Sequence, residues 1–135
     1  MKKASLFLAF AAASLFASDP ICDSDDIKSM VNSLNSKSPM RVDVVTTLMT
    51  TTCANGKLMY FYTLNDDVDI KWDKFTLEQI EHFRKGQSAM LKNQYCTNID
   101  LISLREAVSG LVWIYKTPSG KNIARIEASN DDCKK

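Results

Sequence analysis

The chain has 135 residues, with 17 Lys and Arg against 16 Asp and Glu and a formal charge of +1. So even a balance excludes the strongly basic footprint of a nucleic-acid binder or of a basic membrane-surface protein. The length suits one domain with a sizeable core, and no linker or change of composition divides it.

Met1 to Lys3 make a short positive start, and Leu6 to Phe16 then run without a charge until Ala17-Ser18-Asp19-Pro20. This is the layout of a secretory signal peptide, and the apolar run is too short to span a bilayer. Residues 1–17 are therefore expected to be removed, with cleavage after Ala17 or Ser18, leaving 18–135 as one domain. Cys22 follows Asp19-Pro20-Ile21 and lacks the Leu-and-small-residue run that precedes a lipidated cysteine. Losing Lys2 and Lys3 turns the charge from +1 to −1. The mature chain is expected to be soluble, periplasmic or secreted, without stable membrane insertion.

Ser24 to Asn35 carries Ile27, Met30, Val31 and Leu34 at helical spacing, with Asp23 or Ser24 as cap. Pro39 closes that helix. Met40 to Thr52 is rich in Val and Thr and predicts one long strand. Asn55-Gly56 is a tight-turn pair, so Lys57 to Leu64 returns as a second strand. Both faces of that strand are apolar, which marks it as central or covered on two sides.

Asn65 to Asp73 is an acidic connection holding Val68, Ile70 and Trp72. A second helix starts at Thr76, where Thr76 and Gln79 have capping-box spacing, and Gly86 marks a place for a kink. A third covers about Asp100 to Ser109 and stops at Gly110. Leu111 to Lys116 and Asn122 to Ala128 are strands around the turn Pro118-Ser119-Gly120. A charged tail ends the chain. The expected class is α+β, in the order α-β-β-α-α-β-β. Its two hairpins build a four-stranded antiparallel sheet with three helices on one side.

Four cysteines in an exported chain read as two disulfides, which permits three connectivities. Cys22–Cys53 with Cys96–Cys133 is favoured, because each bridge then staples a helix end to a nearby hairpin feature. No Cys-x-x-Cys pair is present, and His82 is the only histidine, so no metal or redox site is expected.

Pro39-Met40-Arg41-Val42-Asp43, Thr47, Tyr60-x-Tyr62-Thr63-Leu64, Cys96, Gly110 through Tyr115, Gly120, Ile126 and Cys133 carry a resemblance. In these positions the chain resembles a loose group of small exported proteobacterial proteins. The resemblance covers roughly 39–133 and implies architecture and a Cys96–Cys133 partnership, with Cys22 and Cys53 as additions. It implies no activity.

No reaction centre is legible. His82, between Glu81 and Phe83, flanks the second helix's apolar stripe without a nucleophile motif beside it. Asp66, Asp67, Asp69 and Asp73 alternate like calcium ligands, but Lys71 interrupts them and neither a turn Gly nor a closing Glu follows. Thr46, Thr47 and Thr50 to Thr52 follow strand preference. No cofactor is expected. Tyr60, Tyr62, Trp72, Trp113 and Tyr115 are the more informative set, since Tyr and Trp are favoured where one end stays wet. The expected contact with a protein partner is the sheet face or the connection around Trp72, with Tyr62 and Tyr115. The expected function is a non-enzymatic exported binding module. Its rivals are a small carboxylate-based periplasmic hydrolase and a secreted host-directed factor.

Overall fold

Helix α1 (Asp25–Ser36) begins where the Ile27 amide donates to Ser24 Oγ at 3.3 Å, with Asp25 and Asp26 at the positive end of the dipole. It turns Ile27, Met30 and Val31 into the core. This computed structural model describes residues 18–134, so the expected signal peptide lies outside the described residues.

The stretch expected as one strand folds into two. β1 (Met40–Arg41) runs antiparallel to β2 (Thr46–Ala54), with Met40 opposite Leu48. Asp43 makes the break: its Oδ1 accepts from the Val45 amide at 2.9 Å, while Arg41 Nη2 donates to the Val44 carbonyl at 2.9 Å. These local bonds compete with the ladder and leave Val42 and Val44 on the outside of the turn. β3 (Lys57–Leu64) returns through Asn55 and Gly56, whose φ values are +54° and +75°. A Cβ on Gly56 would sit 2.8 Å from Ser109 Oγ, so the turn is pressed against the entry to the next strand.

α2 (Leu77–Thr97) carries the expected capping box and runs unbroken through Gly86. A 3-10 turn at Ile99–Leu101 then leads into a short α3 (Ile102–Ala107). β4 (Gly110–Lys116) and β5 (Asn122–Ala128) complete the sheet, whose order is β1-β2-β3-β4-β5.

The α+β class holds, but the four-stranded antiparallel sheet is corrected to a five-stranded mixed one. β3 and β4 pair in parallel, with Leu58 opposite Leu111 and Tyr62 opposite Tyr115. A connection holding a 21-residue helix is long enough to bring β4 back in the same direction.

Leu58 and Leu64 share one face with Leu111, Trp113, Tyr115, Ala124, Ile126 and Ala128. Ile27 of α1, Leu91 and Tyr95 of α2 and Leu104 of α3 pack onto that face. Cys22 is bonded to Cys53 and Cys96 to Cys133, at sequence separations of 31 and 37.

Candidate functional site

The aromatic residues do come together, but inside the protein. Tyr62 of β3 stacks on Tyr115 of β4 with ring centroids 5.1 Å apart, and Tyr60 lies 6.4 Å from Tyr62. Phe83 of α2 meets Tyr115 edge-on at 5.6 Å and Trp72 at 5.2 Å, and Phe75 completes the series at 4.5 Å from Trp72. Such pairs add to the area they bury.

Trp72 is only 5% exposed and is corrected from an outer contact to a core residue. Its indole N–H donates to the Asn65 carbonyl and its amide to Asp66 Oδ1, both at 3.0 Å. The polar tip is thus satisfied without water, so the ring can sink beneath the acidic connection. Tyr115 is likewise buried, and its hydroxyl accepts from Gln87 Nε2 at 3.1 Å. Burial, with neighbouring Tyr115, Tyr60 and Asp43 behind it, pushes the half-buried Tyr62 hydroxyl far above its ordinary range. All three expected contact residues therefore serve as a neutral aromatic brace between sheet and α2.

The acids of the connection have local duties too. Asp67 Oδ1 accepts from the Val68 amide, and Asp73 Oδ1 accepts from Ser119 Oγ at 2.7 Å, which locks the β4–β5 turn to the connection. Among the described residues no group of three His, Cys, Asp or Glu is arranged to hold a metal ion. The Ser119 bond, chiefly, keeps the Asp73 carboxyl below its usual range, and Arg84 does the same for Glu81. Both are held ionised, which is the reverse of a general acid poised to give up a proton. His82 is exposed and lines a cleft of about 700 Å³ with Phe75, Glu78, Phe83 and Lys85. All but Phe75, which lies just ahead of the helix, come from the first turns of α2, so distant elements do not converge there.

They converge on the opposite face of the sheet. Register puts Lys57, Met59, Phe61 and Thr63 of β3 beside Val112, Ile114 and Lys116 of β4, with Arg125 and Glu127 of β5 next to them. Met59, Phe61, Val112 and Ile114 stand apart from the core shared with the helices. Val112 is nonetheless 1% exposed. Lys57 Nζ reaches Glu127 Oε1 at 3.3 Å across β4, which lies between their strands, and this pair shelters it. Phe61 and Ile114 have no such cover and remain half-buried. They line a cleft of about 510 Å³ with Arg84, Lys116, Asn122 and Arg125. Sequence reasoning offered a sheet face as one of two contacts but did not name these residues. Their signal was the second apolar face of β3, Met59 and Phe61, which was read as the mark of a strand that is central or covered on two sides.

No protein-family model matches the chain, and no curated protein matches it. Two solved structures share its architecture. One is a protein of Pseudomonas aeruginosa inferred to be secreted, at a TM-score of 0.64 and 10% identity over 87% of this chain and 100% of that one. The other is the pilotin of the Vibrio vulnificus type 2 secretion system, at a TM-score of 0.59 and 10% identity over 79% of this chain and 87% of that one. The fold is common to all three. At such identity the likeness speaks for backbone arrangement and not for shared side chains, so the cleft stands on this chain's own residues.

Proposed function

We propose that this chain is a small exported module that binds a protein partner outside the cytosol and catalyses no reaction. In this reading residues 1–17 are the cleaved leader and 18–135 the working domain. Two disulfides fit an oxidising compartment. The two structural neighbours, one inferred to be secreted and one a pilotin, fit the same setting. Among the described residues no helix is long and apolar enough to cross a membrane.

The observation that carries the reading is the cleft on the sheet face turned away from the core, where Phe61 and Ile114 lie half-open among charged side chains that include Arg84 of α2. A binding surface has this anatomy: apolar centre, polar rim. Asp73 and Glu81 are held ionised by Ser119 and Arg84, so neither is the protonated acid that the hydrolase reading needs.

A photo-crosslinking amino acid at position 61, expressed in the native cell, tests the assignment. The same group at Val68, 87% exposed on the acidic connection, is the control. A discrete adduct from position 61 and none from 68 is expected. Equal capture from both positions, or none from 61, removes this face as the docking site.

A further inference from the structure

We infer that the cleft beside β5 takes an extended acidic segment of a partner protein, which adds to the sheet as a further strand. The inference rests on the docking-face reading above and specifies the occupant's charge and conformation.

Three observations carry it. First, the lining is one-signed. Arg84, Lys116 and Arg125 surround Phe61 and Ile114, and no carboxylate lines the cleft. Glu81 holds the Arg84 guanidinium and Glu127 meets that of Arg125 at 3.5 Å, but no ion pair among the described residues engages Lys116. Beside a mature chain of formal charge −1, this patch is a local excess of positive charge. Acidic side chains are the charge complement of Lys116 and Arg125.

Second, β5 is the last strand of the sheet, and alternate residues of an antiparallel edge strand point their N–H and C=O groups outward. Among the described residues no hydrogen bond outside its ladder with β4 reaches the backbone of 123–127. Neither Pro nor Gly interrupts those residues.

Third, the opposite edge is closed. β1 covers part of β2, and beyond it the Asn35 carboxamide takes both backbone groups of Thr51, accepting from its amide at 2.8 Å and donating to its carbonyl at 2.9 Å. β5 is therefore the long edge whose outward backbone groups stay unpaired among the described residues, and the cleft reaches its residues 122–125. An incoming strand would set acidic side chains beside Arg125 and within reach of Lys116, on the face that Ile114 shares, the logic of recognition by strand addition.

The test uses the mature, oxidised protein and short fluorescein-labelled peptides that alternate Glu with Val or Phe. Companion peptides carry Lys for Glu, or N-methyl groups on alternate amides in each of the two registers. The acidic peptide is expected to bind and to shift the amide resonances of β5 and those of Ile114 and Lys116 on the neighbouring strand. The Lys peptide should bind about tenfold or more weakly at low salt, with the gap narrowing as salt rises. One N-methyl register should abolish binding and the other leave it. Lys116→Glu with Arg125→Glu should reverse the charge preference while the circular dichroism spectrum stays that of the parent. Equal binding of Glu and Lys peptides, tolerance of both N-methyl registers, or resonance shifts confined to other faces overturns the inference. So does binding to phosphatidylglycerol vesicles in preference to the peptide, or occupation of the cleft by a second copy of this chain. None of these results touches the position-61 crosslink, which judges the docking face by itself.

Discussion

Asp19 shows how much one carboxylate can hold. Its Oδ1 accepts from the Cys22 amide and its Oδ2 from the Gly56 amide, both at 3.0 Å, so one side chain joins the start of the domain to the first hairpin's turn. The Cys22 amide, with Gly56 behind it, draws the carboxyl below its ordinary value of 3.8. A depressed carboxylate contributes stability that is complete above the ordinary value and is lost as pH falls through the lowered one. Thermal midpoints measured from neutral pH downward should therefore drop more steeply below about pH 4 for the parent than for Asp19→Asn. The variant starts lower at neutral pH. Parallel curves would show that this carboxylate contributes nothing to acid sensitivity. Trp72 marks the limit of residue-scale reading. A tryptophan on a polar connection is compatible with a wet contact or a buried brace, and only the Asn65 carbonyl that receives its N–H decides between them.

At the scale of elements, α1 and the sheet are joined by Asn35. Its carboxamide pairs both backbone groups of Thr51, which is fully buried, and its Oδ1 also receives Thr50 Oγ1 at 3.3 Å. Asn35→Ala would leave two backbone groups of Thr51 unpaired, at a cost of about 1–3 kcal/mol. Denaturant unfolding should show that loss, and hydrogen exchange should show faster exchange at the Thr51 amide; an unchanged midpoint would mean that water replaces the side chain. Helix starts and the first hairpin were legible because their causes are local. Ser24, the Thr76–Gln79 box and Asn55-Gly56 act within four residues of themselves. The division between β1 and β2 was not. Val42 and Val44 read as strand, while the turn depends on Asp43 and Arg41 bonding to neighbouring backbone, which alternation does not reveal. The parallel pairing of β3 with β4 was hidden for another reason. Side-chain alternation is the same whichever way two strands run, so direction is set by the path of α2 and not by the strands themselves.

For the whole molecule, the two bridges sit at one end of the sheet. Cys53 faces Leu58, whose row continues through Leu111 to Ala128, and Cys133 follows shortly after. Each closes a loop whose constraint on the unfolded chain is worth about 4 kcal/mol in the chain-entropy picture. Replacing Cys22 and Cys53 together by Ser should lower unfolding free energy by roughly that amount, read by denaturant titration of the oxidised protein; a loss well under 1 kcal/mol would mean that the unfolded chain already keeps those segments together without the bond. The cleft belongs to the other pole, where Phe61, Ile114 and Lys116 lie several rows from either sulfur pair. Anything that pries this pole apart as it enters strains only packed side chains and ladder bonds. The covalent cinches at the far pole would hold the architecture together were that mouth to widen.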